Sequence, residues 1–323
     1  MGAVAARSLI HWFGDPACAD VQLAGGKGAS LSRMASAGLP VPPGFVVSAT
    51  AFARFLDAHG VTGRILEALE LVDPASRPSL EAASREIKAM IRSLEVPPEI
   101  AEVIKEAYAE LGRGEDVLVA VRSSAIAEDS QAASYAGQQE TYLNVAGAPQ
   151  VIGRVRDCWA SLFGSHALFY RSEKGSLRDT AIAVVVQRMV VPEKSGVLFT
   201  ADPVQRRRDC CVIEATWGFG EALVSGLVVP DNYLVARADR RLLRSFVPAK
   251  TVMLVRDPSG DGLRQMPVPP EAERERVLTD SEVQALIELA ERVEAYFGAP
   301  QDIEWAIEGG TVYLLQSRPI TTL

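Results

Sequence analysis

Polar and apolar residues alternate near the C-terminal end of the chain, over residues 301–307. Residues 309–310, both glycine, separate this run from a second extended run over residues 311–316. Because successive side chains of a strand point to opposite faces, Asp302 and Glu304 share one face. The apolar residues point to the other face, towards a core: Ile303, Trp305 and Ile307. The pattern therefore predicts a β-hairpin with one acidic face.

The acidic face of this predicted hairpin has the chemistry of a metal site. Two neighbouring carboxylates repel each other unless a cation lies between them, so Asp302 and Glu304 indicate Mg²⁺. Gln316 and Arg318 share a face of the second strand and add an amide and a guanidinium. This set of groups suits a metal ion bound to a polyphosphate. The alternative is a solvated strand face without a ligand.

The length of the turn tests this prediction. A two-residue turn would pair residue 308 with residue 311 and Glu304 with Leu315, which leaves Gln316 on the other face. A shared metal ion requires Glu304 and Gln316 on the same face. We therefore expect an odd-length, three-residue loop with a bulge; an added bulge elsewhere in the hairpin would have the same effect.

Three segments nearer the N-terminus have the composition of phosphate-binding elements. Residues 25–28, Gly-Gly-Lys-Gly, would let the backbone approach a phosphate while Lys27 supplies a charge, although the spacing is not that of a P-loop. Arg122 ends an apolar strand and precedes two serines, which would present a guanidinium to phosphate oxygens. Residues 134–141 suit a flap whose amides cover phosphates. The alternatives are a flexible turn before a helix, a surface arginine with a helix-capping serine, and a β-turn loop.

Composition excludes several classes of protein. The chain has 323 residues and a formal net charge of −8, which argues against broad nucleic-acid or anionic-membrane binding. No apolar run reaches about 18 residues, so no membrane span is expected, and the N-terminus is a poor signal peptide. The four cysteines lack CxxC spacing, which argues against a zinc site or a disulfide framework and favours a reducing cytoplasm.

The length of the chain predicts two packed lobes, and a helix-rich half gives way to a strand-rich half near residue 190. We therefore predict an α+β protein with lobes at residues 1–190 and 191–323. Apolar periodicity predicts helices at about 50–60, 63–71, 79–94, 98–111 and 150–171, and a capping box at Thr279 and Glu282 opens another that reaches Phe297. Strands are predicted at 117–121, 135–145, 181–186, 197–200, 212–215, 232–236 and 246–254, and a surface loop at 257–270.

Seven segments occur together in an order that is typical of one family. They are Gly-Gly-Lys-Gly at 25–28, Val-Arg-Ser-Ser at 121–124, Ala-Gly-Gln-Gln-Glu-Thr at 136–141, Val-Val-Gln-Arg-Met-Val at 185–190, Gly-Val-Leu-Phe-Thr-Ala-Asp-Pro at 196–203, Gly-Glu-Ala-Leu-Val-Ser-Gly at 220–226 and Leu-Gln-Ser-Arg-Pro at 315–319. The chain resembles the ATP-binding domain of the phosphoenolpyruvate synthase and pyruvate phosphate dikinase family. Rifampin phosphotransferase and the subunit pairs that phosphorylate phenol share this domain. The resemblance implies an ATP-grasp fold, with ATP between two α+β lobes.

The resemblance also implies a role for individual residues. Phosphates would be held by three cations: Lys27, Arg122 and Arg318. The flap from Gly137 to Thr141 would close over the phosphates, and the adenine slot would be lined by Gln187 and by the backbone of Met189 and Val190. Mg²⁺ would be ligated by Glu304 and Gln316, with Asp302 beside them. Glu214 and Glu221 are further candidates, as ribose-binding or structural residues.

Two parts of a complete enzyme of this family are not recognised in the sequence. The family passes phosphate through a histidine in a Thr/Ser-rich stretch, and no histidine of this chain lies in such a stretch: His11, His59 and His166. A phosphoenolpyruvate-binding barrel is also not recognised. We therefore expect a chain that binds and splits ATP, and that needs a swivelling histidine domain or subunit to pass the β-phosphate to an acceptor.

The acceptor stays open at this point. Pyruvate is the first candidate, and an antibiotic hydroxyl or a phenol is the alternative. A second alternative, of another class, is a nucleotide-binding regulatory subunit without turnover.

Overall fold

The computed structural model describes residues 9–126, 140–173, 180–258, 260, 262–321 and 323. The chain divides into two compact units, of which the first comprises Met1–Ser32 and Pro43–Met189 and the second Arg33–Pro42 and Val190–Leu323. Each unit combines helices with antiparallel strands, which confirms the predicted α+β class. Within the described ranges, no helix has the length and apolarity that crossing a membrane requires.

The first unit has one five-stranded sheet with the order β1-β2-β5-β3-β4. Its elements are β1 (Ile10–Trp12), a 3₁₀ turn (Pro16–Ala19), α1 (Val21–Ser36, which ends in the second unit), β2 (Gly44–Val47), α2 (Ala49–His59), α3 (Thr62–Glu70), α4 (Arg77–Ser93), α5 (Pro98–Leu111), β3 (Val119–Ala125), β4 (Thr141–Val145), α6 (Ala148–Ser161), α7 (Ser165–Glu173) and β5 (Ile182–Arg188). The strand β5 lies at the centre of the sheet, and its first six residues are buried. The continuous apolar run predicted such a strand because both of its faces are covered.

An aromatic cluster fixes the helices of the first unit against the sheet. The ring centroids of Phe52 and Phe55 in α2 lie 5.6 and 4.9 Å from that of Trp159 in α6, and all three side chains are fully buried. Burial of such rings supplies about 1.5–3 kcal/mol each. The continuous helix predicted at 150–171 is wrong, because α6 ends at Ser161 and α7 begins at Ser165. The last turn of α6 tightens to i→i−3 hydrogen bonds, one of which joins the Leu162 N–H to the Trp159 carbonyl oxygen at 3.3 Å.

The second unit has a six-stranded antiparallel sheet with the order β13-β12-β6-β7-β8-β9 and a separate pair, β10-β11. Its elements are β6 (Lys194–Phe199), β7 (Cys210–Trp217), α8 (Glu221–Val224), β8 (Asp231–Ala236), β9 (Leu242–Phe246), β10 (Val252–Arg256), β11 (Leu263–Pro267), α9 (Asp280–Phe297), β12 (Gln301–Glu308) and β13 (Thr311–Pro319). The helix α9 contacts β12 and β6, and its buried face includes Leu286 and Ile287. Its N-terminus has the predicted capping box of Thr279 and Glu282.

Two predicted secondary-structure elements of the second unit are wrong. The strand expected at 246–254 is divided, because β9 ends at Phe246 and β10 begins at Val252. Pro248 cannot donate to a ladder, and Lys250 turns inward to a buried carboxylate, so this stretch cannot continue as one strand. The loop expected at 257–270 contains β11, whose residues are exposed or half-buried and so carry no alternation of apolar residues.

Candidate functional site

The glycine loop of the first unit is part of a broken helix. The Gly-Gly-Lys-Gly segment at residues 25–28 lies within α1, which begins at Val21 and is interrupted at Gly25, where φ is 67° and ψ is 174°. Only glycine adopts this conformation readily. A Cβ atom on Gly25 would lie 2.2 Å from the carbonyl oxygen of Ser124 in β3. Glycine is therefore required here for both its dihedral angles and its small size.

Lys27 lies beside β3 at Ser123. Arg122, which was predicted to end this strand, lies in its middle, because β3 continues to Ala125. The Lys27 Nζ donates a hydrogen bond to the carbonyl oxygen of Ser123 at 3.3 Å. The hydroxyl of Ser124 donates to the Ala24 carbonyl oxygen at 2.8 Å and accepts from the Gly28 N–H at 3.1 Å. The structure therefore places the Lys27 loop directly against the Arg122-Ser-Ser segment, 96 residues later in the sequence.

The flap segment returns to the sheet opposite Arg122. Arg122 is half-buried and pairs with Val185 on one side and Thr141 on the other. Thr141 begins β4 and is exposed, and the Ser123 N–H donates to the carbonyl oxygen of Glu140 at 3.1 Å. Gly137 and most of the predicted flap lie outside the described residues. In the described part of the chain, Lys27, Arg122 and Thr141 are thus all placed around the middle of β3, at Arg122 and Ser123.

The predicted adenine-binding residues lie at the end of β5. Gln187 is buried, with 3% of its surface exposed, and pairs with Gly44 and Ala120. The Met189 N–H donates to the carbonyl oxygen of Leu118 at 2.8 Å, so a base at this position would have to use the Met189 carbonyl group. Val190 is buried and is assigned to the second unit.

The hairpin of the second unit has the register that a shared metal requires. Glu308 pairs with Thr311, so the turn has two residues, and the predicted odd-length loop is wrong. Both turn glycines have positive φ angles, 56° and 74°, as tight two-residue turns need. The register shifts at Glu304, which pairs with Gln316 because Leu315 is an extra residue in β13. The alternative that we named, an added bulge elsewhere, is therefore confirmed.

Asp302 and Arg318 form an ion pair on the same hairpin. They are opposite each other in the register, and the Arg318 Nε and one terminal nitrogen both lie 2.8 Å from the Asp302 Oδ2. The Asp302 side chain is only 13% exposed, and burial raises the pKa of its carboxyl although the Arg318 guanidinium acts to lower it. Arg318 is thus already oriented by a carboxylate, and Asp302 is already partly compensated.

Glu214, a further candidate from the sequence, belongs to the same sheet face. Glu304 pairs with Val197 of β6, which pairs with Glu214 of β7, which in turn pairs with Asn232. Directly opposed residues of neighbouring strands share a face. Burial raises the pKa of the Glu214 carboxyl and the Asp302 charge adds to this effect, whereas a hydrogen bond from Asn232 acts to lower it. Alternation within β7 shows which face Glu214 is on, but only the strand order shows that this is the face of Glu304.

The donor set of this face fits Mg²⁺ better than a transition metal. No group of three or more His, Cys, Asp and Glu side chains that could hold a metal ion occurs in the part of the chain that the structure describes. Mg²⁺ is usually bound by one or two carboxylates together with water and phosphate oxygens. Glu304 and Gln316, with Asp302 beside them, can supply such a partial shell of oxygen ligands. Glu221, the other low-ranked candidate, begins α8.

Comparison with known proteins identifies the family. The chain belongs to the family described as pyruvate phosphate dikinase, AMP/ATP-binding domain, whose model matches residues 21–323. This confirms the resemblance stated from the sequence.

Several curated relatives are named as phosphoenolpyruvate synthases. A probable phosphoenolpyruvate synthase from Archaeoglobus fulgidus is 48% identical over 318 residues, which is 97% of this chain and 42% of the relative. The phosphoenolpyruvate synthase of Pyrococcus furiosus is 42% identical over 361 residues, 98% of this chain and 44% of the relative.

A rifampicin phosphotransferase from a Streptomyces species is 42% identical over 305 residues, 93% of this chain and 34% of that protein. The chain thus spans less than half the length of these curated relatives. A solved structure, D-alanyl-alanine synthetase A from Vibrio cholerae O1 biovar eltor str. N16961, aligns with 92% of this chain and 60% of its own, at 11% identity and a TM-score of 0.35.

Proposed function

We propose that this chain binds ATP together with Mg²⁺ and is the ATP-splitting part of a phosphotransferase of the phosphoenolpyruvate synthase type. The observation that carries the proposal is the face of the β12–β13 hairpin. There, Glu304 lies opposite Gln316 and Asp302 lies opposite Arg318. Oxygen ligands for a cation and a guanidinium for a phosphate are therefore adjacent on one face of one hairpin. Membership of an AMP/ATP-binding family supports the same conclusion.

The residues of the first unit would act on the phosphates and the base of the same nucleotide. Lys27 supplies a compact charge, and Arg122 supplies a planar fork of donors that matches phosphate oxygens. The flap from Gly137 to Thr141 covers the phosphates. Gln187, with the backbone of Met189 and Val190, holds the adenine. In the ATP-grasp interpretation, which is part of this proposal, a single ATP contacts both the first-unit residues and the hairpin residues.

In this proposal the chemistry is mainly positioning and neutralisation of charge. When bound, Mg²⁺ would offset negative charge on the phosphate chain, held by Glu304 and Gln316 with Asp302 beside them. Lys27, Arg122 and Arg318 would keep the phosphate chain in line for attack. A histidine of a separate swivelling domain would attack the β-phosphorus, AMP would leave, and the γ-phosphate would later be lost to water or phosphate.

We propose pyruvate as the final acceptor because the relatives named phosphoenolpyruvate synthase match 94% or more of this chain at 41–48% identity. An antibiotic hydroxyl is the alternative, supported by the relatives named rifampicin phosphotransferase at 38 and 42% identity. A phenol is the other alternative acceptor.

We propose a cytoplasmic location, which the state of the cysteines supports. All four are free and buried, and burial raises the pKa of the Cys18 and Cys211 thiols to about 12. Such thiols stay protonated and unreactive at neutral pH.

A phosphohistidine assay tests the proposed function. The chain is incubated with Mg²⁺, ATP labelled at the β-phosphate and a purified histidine domain of a phosphoenolpyruvate synthase. We expect label on the histidine and release of AMP with the wild-type chain, and neither with Arg122→Ala. Arg64→Ala, which changes an exposed arginine of α3 in the same unit, should transfer label like the wild type.

Each contrary result of this assay has a separate meaning. Full transfer by Arg122→Ala would refute the role of that arginine. A wild-type chain that binds ATP tightly but never labels a competent histidine domain would support the regulatory-subunit alternative.

A further inference from the structure

The side chain of Ser124, to which no ligand contact has been assigned, contacts the glycine loop at both ends of one helical turn. Its hydroxyl donates to the Ala24 carbonyl oxygen at 2.8 Å and accepts from the Gly28 N–H at 3.1 Å. Ala24 and Gly28 are four residues apart, the spacing that an α-helical hydrogen bond joins. The helix is broken at Gly25, between these two contacts. The hydroxyl therefore connects the two sides of the break.

The contact leaves no room for a side chain at position 25. Ser124 is fully buried, and a Cβ atom on Gly25 would lie 2.4 Å from its hydroxyl oxygen and 2.2 Å from its carbonyl oxygen. Ala24 and Gly28 are buried as well. Alanine at position 124 would therefore remove a hydrogen-bond partner from two buried backbone groups.

Lys27 lies within the turn that this hydroxyl connects. Its Nζ donates to the carbonyl oxygen of Ser123, the residue between Arg122 and Ser124. Hydrogen bonds thus hold both the backbone of the Lys27 loop and the Lys27 side chain against two neighbouring residues of β3, Ser124 and Ser123. We infer that Ser124 is a positioning residue, which holds the Lys27 ammonium at a fixed place beside Arg122 so that both can bind the β- and γ-phosphates of ATP. This inference rests on the proposed function.

The inference makes a selective prediction about ligands. AMP has no β- and γ-phosphates, so it should depend on the adenine and ribose contacts but not on the position of Lys27. Calorimetric titration of the full chain in Mg²⁺ gives the Kd values for ATP and AMP. Ser124→Ala should raise the Kd for ATP about tenfold to hundredfold, the range for losing the charge-assisted hydrogen bond of Lys27 to a phosphate. It should raise the Kd for AMP less than about twofold.

A double-mutant cycle shows whether Ser124 acts through Lys27. Lys27→Ala should weaken ATP binding at least as much as Ser124→Ala, and the double variant should be no weaker than Lys27→Ala alone. Ser161→Ala is the matched control, because that hydroxyl is also buried in the first unit and donates to the Cys158 carbonyl oxygen at 2.6 Å, away from the glycine loop. It should leave both Kd values unchanged.

The outcomes separate the inference from the proposed function. Equal loss of ATP and AMP affinity in Ser124→Ala, or an effect that adds fully to that of Lys27→Ala, overturns the positioning role. If Ser124→Ala does not fold, Ser124→Cys keeps a weak donor on a slightly larger side chain and should show a smaller loss for ATP alone; an unchanged Kd for ATP overturns the inference. A wild-type chain that binds no ATP, or a Lys27→Ala variant that binds it normally, overturns the proposed function and this inference with it.

Discussion

Replacing Lys250 by methionine should destabilise the second unit by about 3–5 kcal/mol. The Lys250 Nζ lies 2.6 Å from the Asp231 Oδ1, and both side chains are fully buried. The other carboxylate oxygen accepts hydrogen bonds from the Tyr233 hydroxyl at 2.8 Å and the Val277 N–H at 2.7 Å. Methionine fills a similar volume but leaves a buried carboxylate without its cation. The consequence reaches the candidate site, because Asp231 precedes Asn232, which hydrogen-bonds to Glu214.

A second ion pair of the same unit sets the scale for this prediction. The Lys194 Nζ lies 2.7 Å from a Glu282 carboxylate oxygen, but these side chains are 17 and 21% exposed. Water can therefore solvate Glu282 when the lysine is removed, and Lys194→Met should cost only about 1 kcal/mol or less. The N–O distances of the two ion pairs are nearly equal, so the difference in lost stability between the two variants measures the effect of burial.

Urea unfolding followed by tryptophan fluorescence and circular dichroism gives the two free energies. A further variant isolates the charge. Asp231→Asn in the Lys250→Met background removes the uncompensated carboxylate, and we expect it to recover about 1–3 kcal/mol. The reasoning is refuted if Lys250→Met costs no more than Lys194→Met, or if the added Asp231→Asn recovers nothing.

Three further predictions concern the candidate site. Glu304→Gln should weaken MgATP binding about tenfold or more while binding of ATP in EDTA changes less than about twofold; an equal loss in both titrations would contradict a metal role. Because the fold raises the pKa of Glu214 above its ordinary 4.5, its charged form costs stability at neutral pH, so Glu214→Gln should be more stable than the wild type at pH 7.5. This advantage should shrink as the pH falls through the raised pKa and be gone below about 4.5. A constant difference in the free energy of unfolding across that range would contradict the shift. Gly25→Ala should lower the free energy of unfolding by about 3 kcal/mol or more, from backbone strain and steric overlap with Ser124. The control is Gly60→Ala, at φ 61° with no heavy atom within 4 Å of the added Cβ, which should cost about 1 kcal/mol. Equal losses of stability would show that the contact with Ser124 is unimportant.

The sequence predicts well those features that depend on neighbouring residues. The helices α2 to α5 lie within two residues of their predicted bounds, because apolar periodicity and local breakers determine a helix and its ends. The capping box at Thr279 is confirmed for the same reason, since both of its partners lie within one turn. The hairpin of residues 301–319 follows from alternation and from two glycines.

The features that the sequence did not predict depend on distant residues. The break of α1 at Gly25 accommodates Ser124, 99 positions later in the printed sequence, and no local pattern marks that contact. Glu214 joins the face of Glu304 only because β6 lies between β7 and β12, which is a matter of strand order. The strand β11 was missed because its residues are exposed or half-buried and show no alternation of apolar residues.

The burial of the hairpin residues bears on the choice between a ligand site and a solvated strand face. A solvated face would leave its carboxylates exposed and their pKa values near the ordinary range. Instead the Asp302 side chain is 13% exposed, Gln316 is 9% exposed, and burial raises the pKa values of both Asp302 and Glu214. Carboxyl groups in such surroundings are stabilised in their charged form by a cation. Their position in a fixed register beside an amide oxygen is the physical reason for proposing Mg²⁺ at this face.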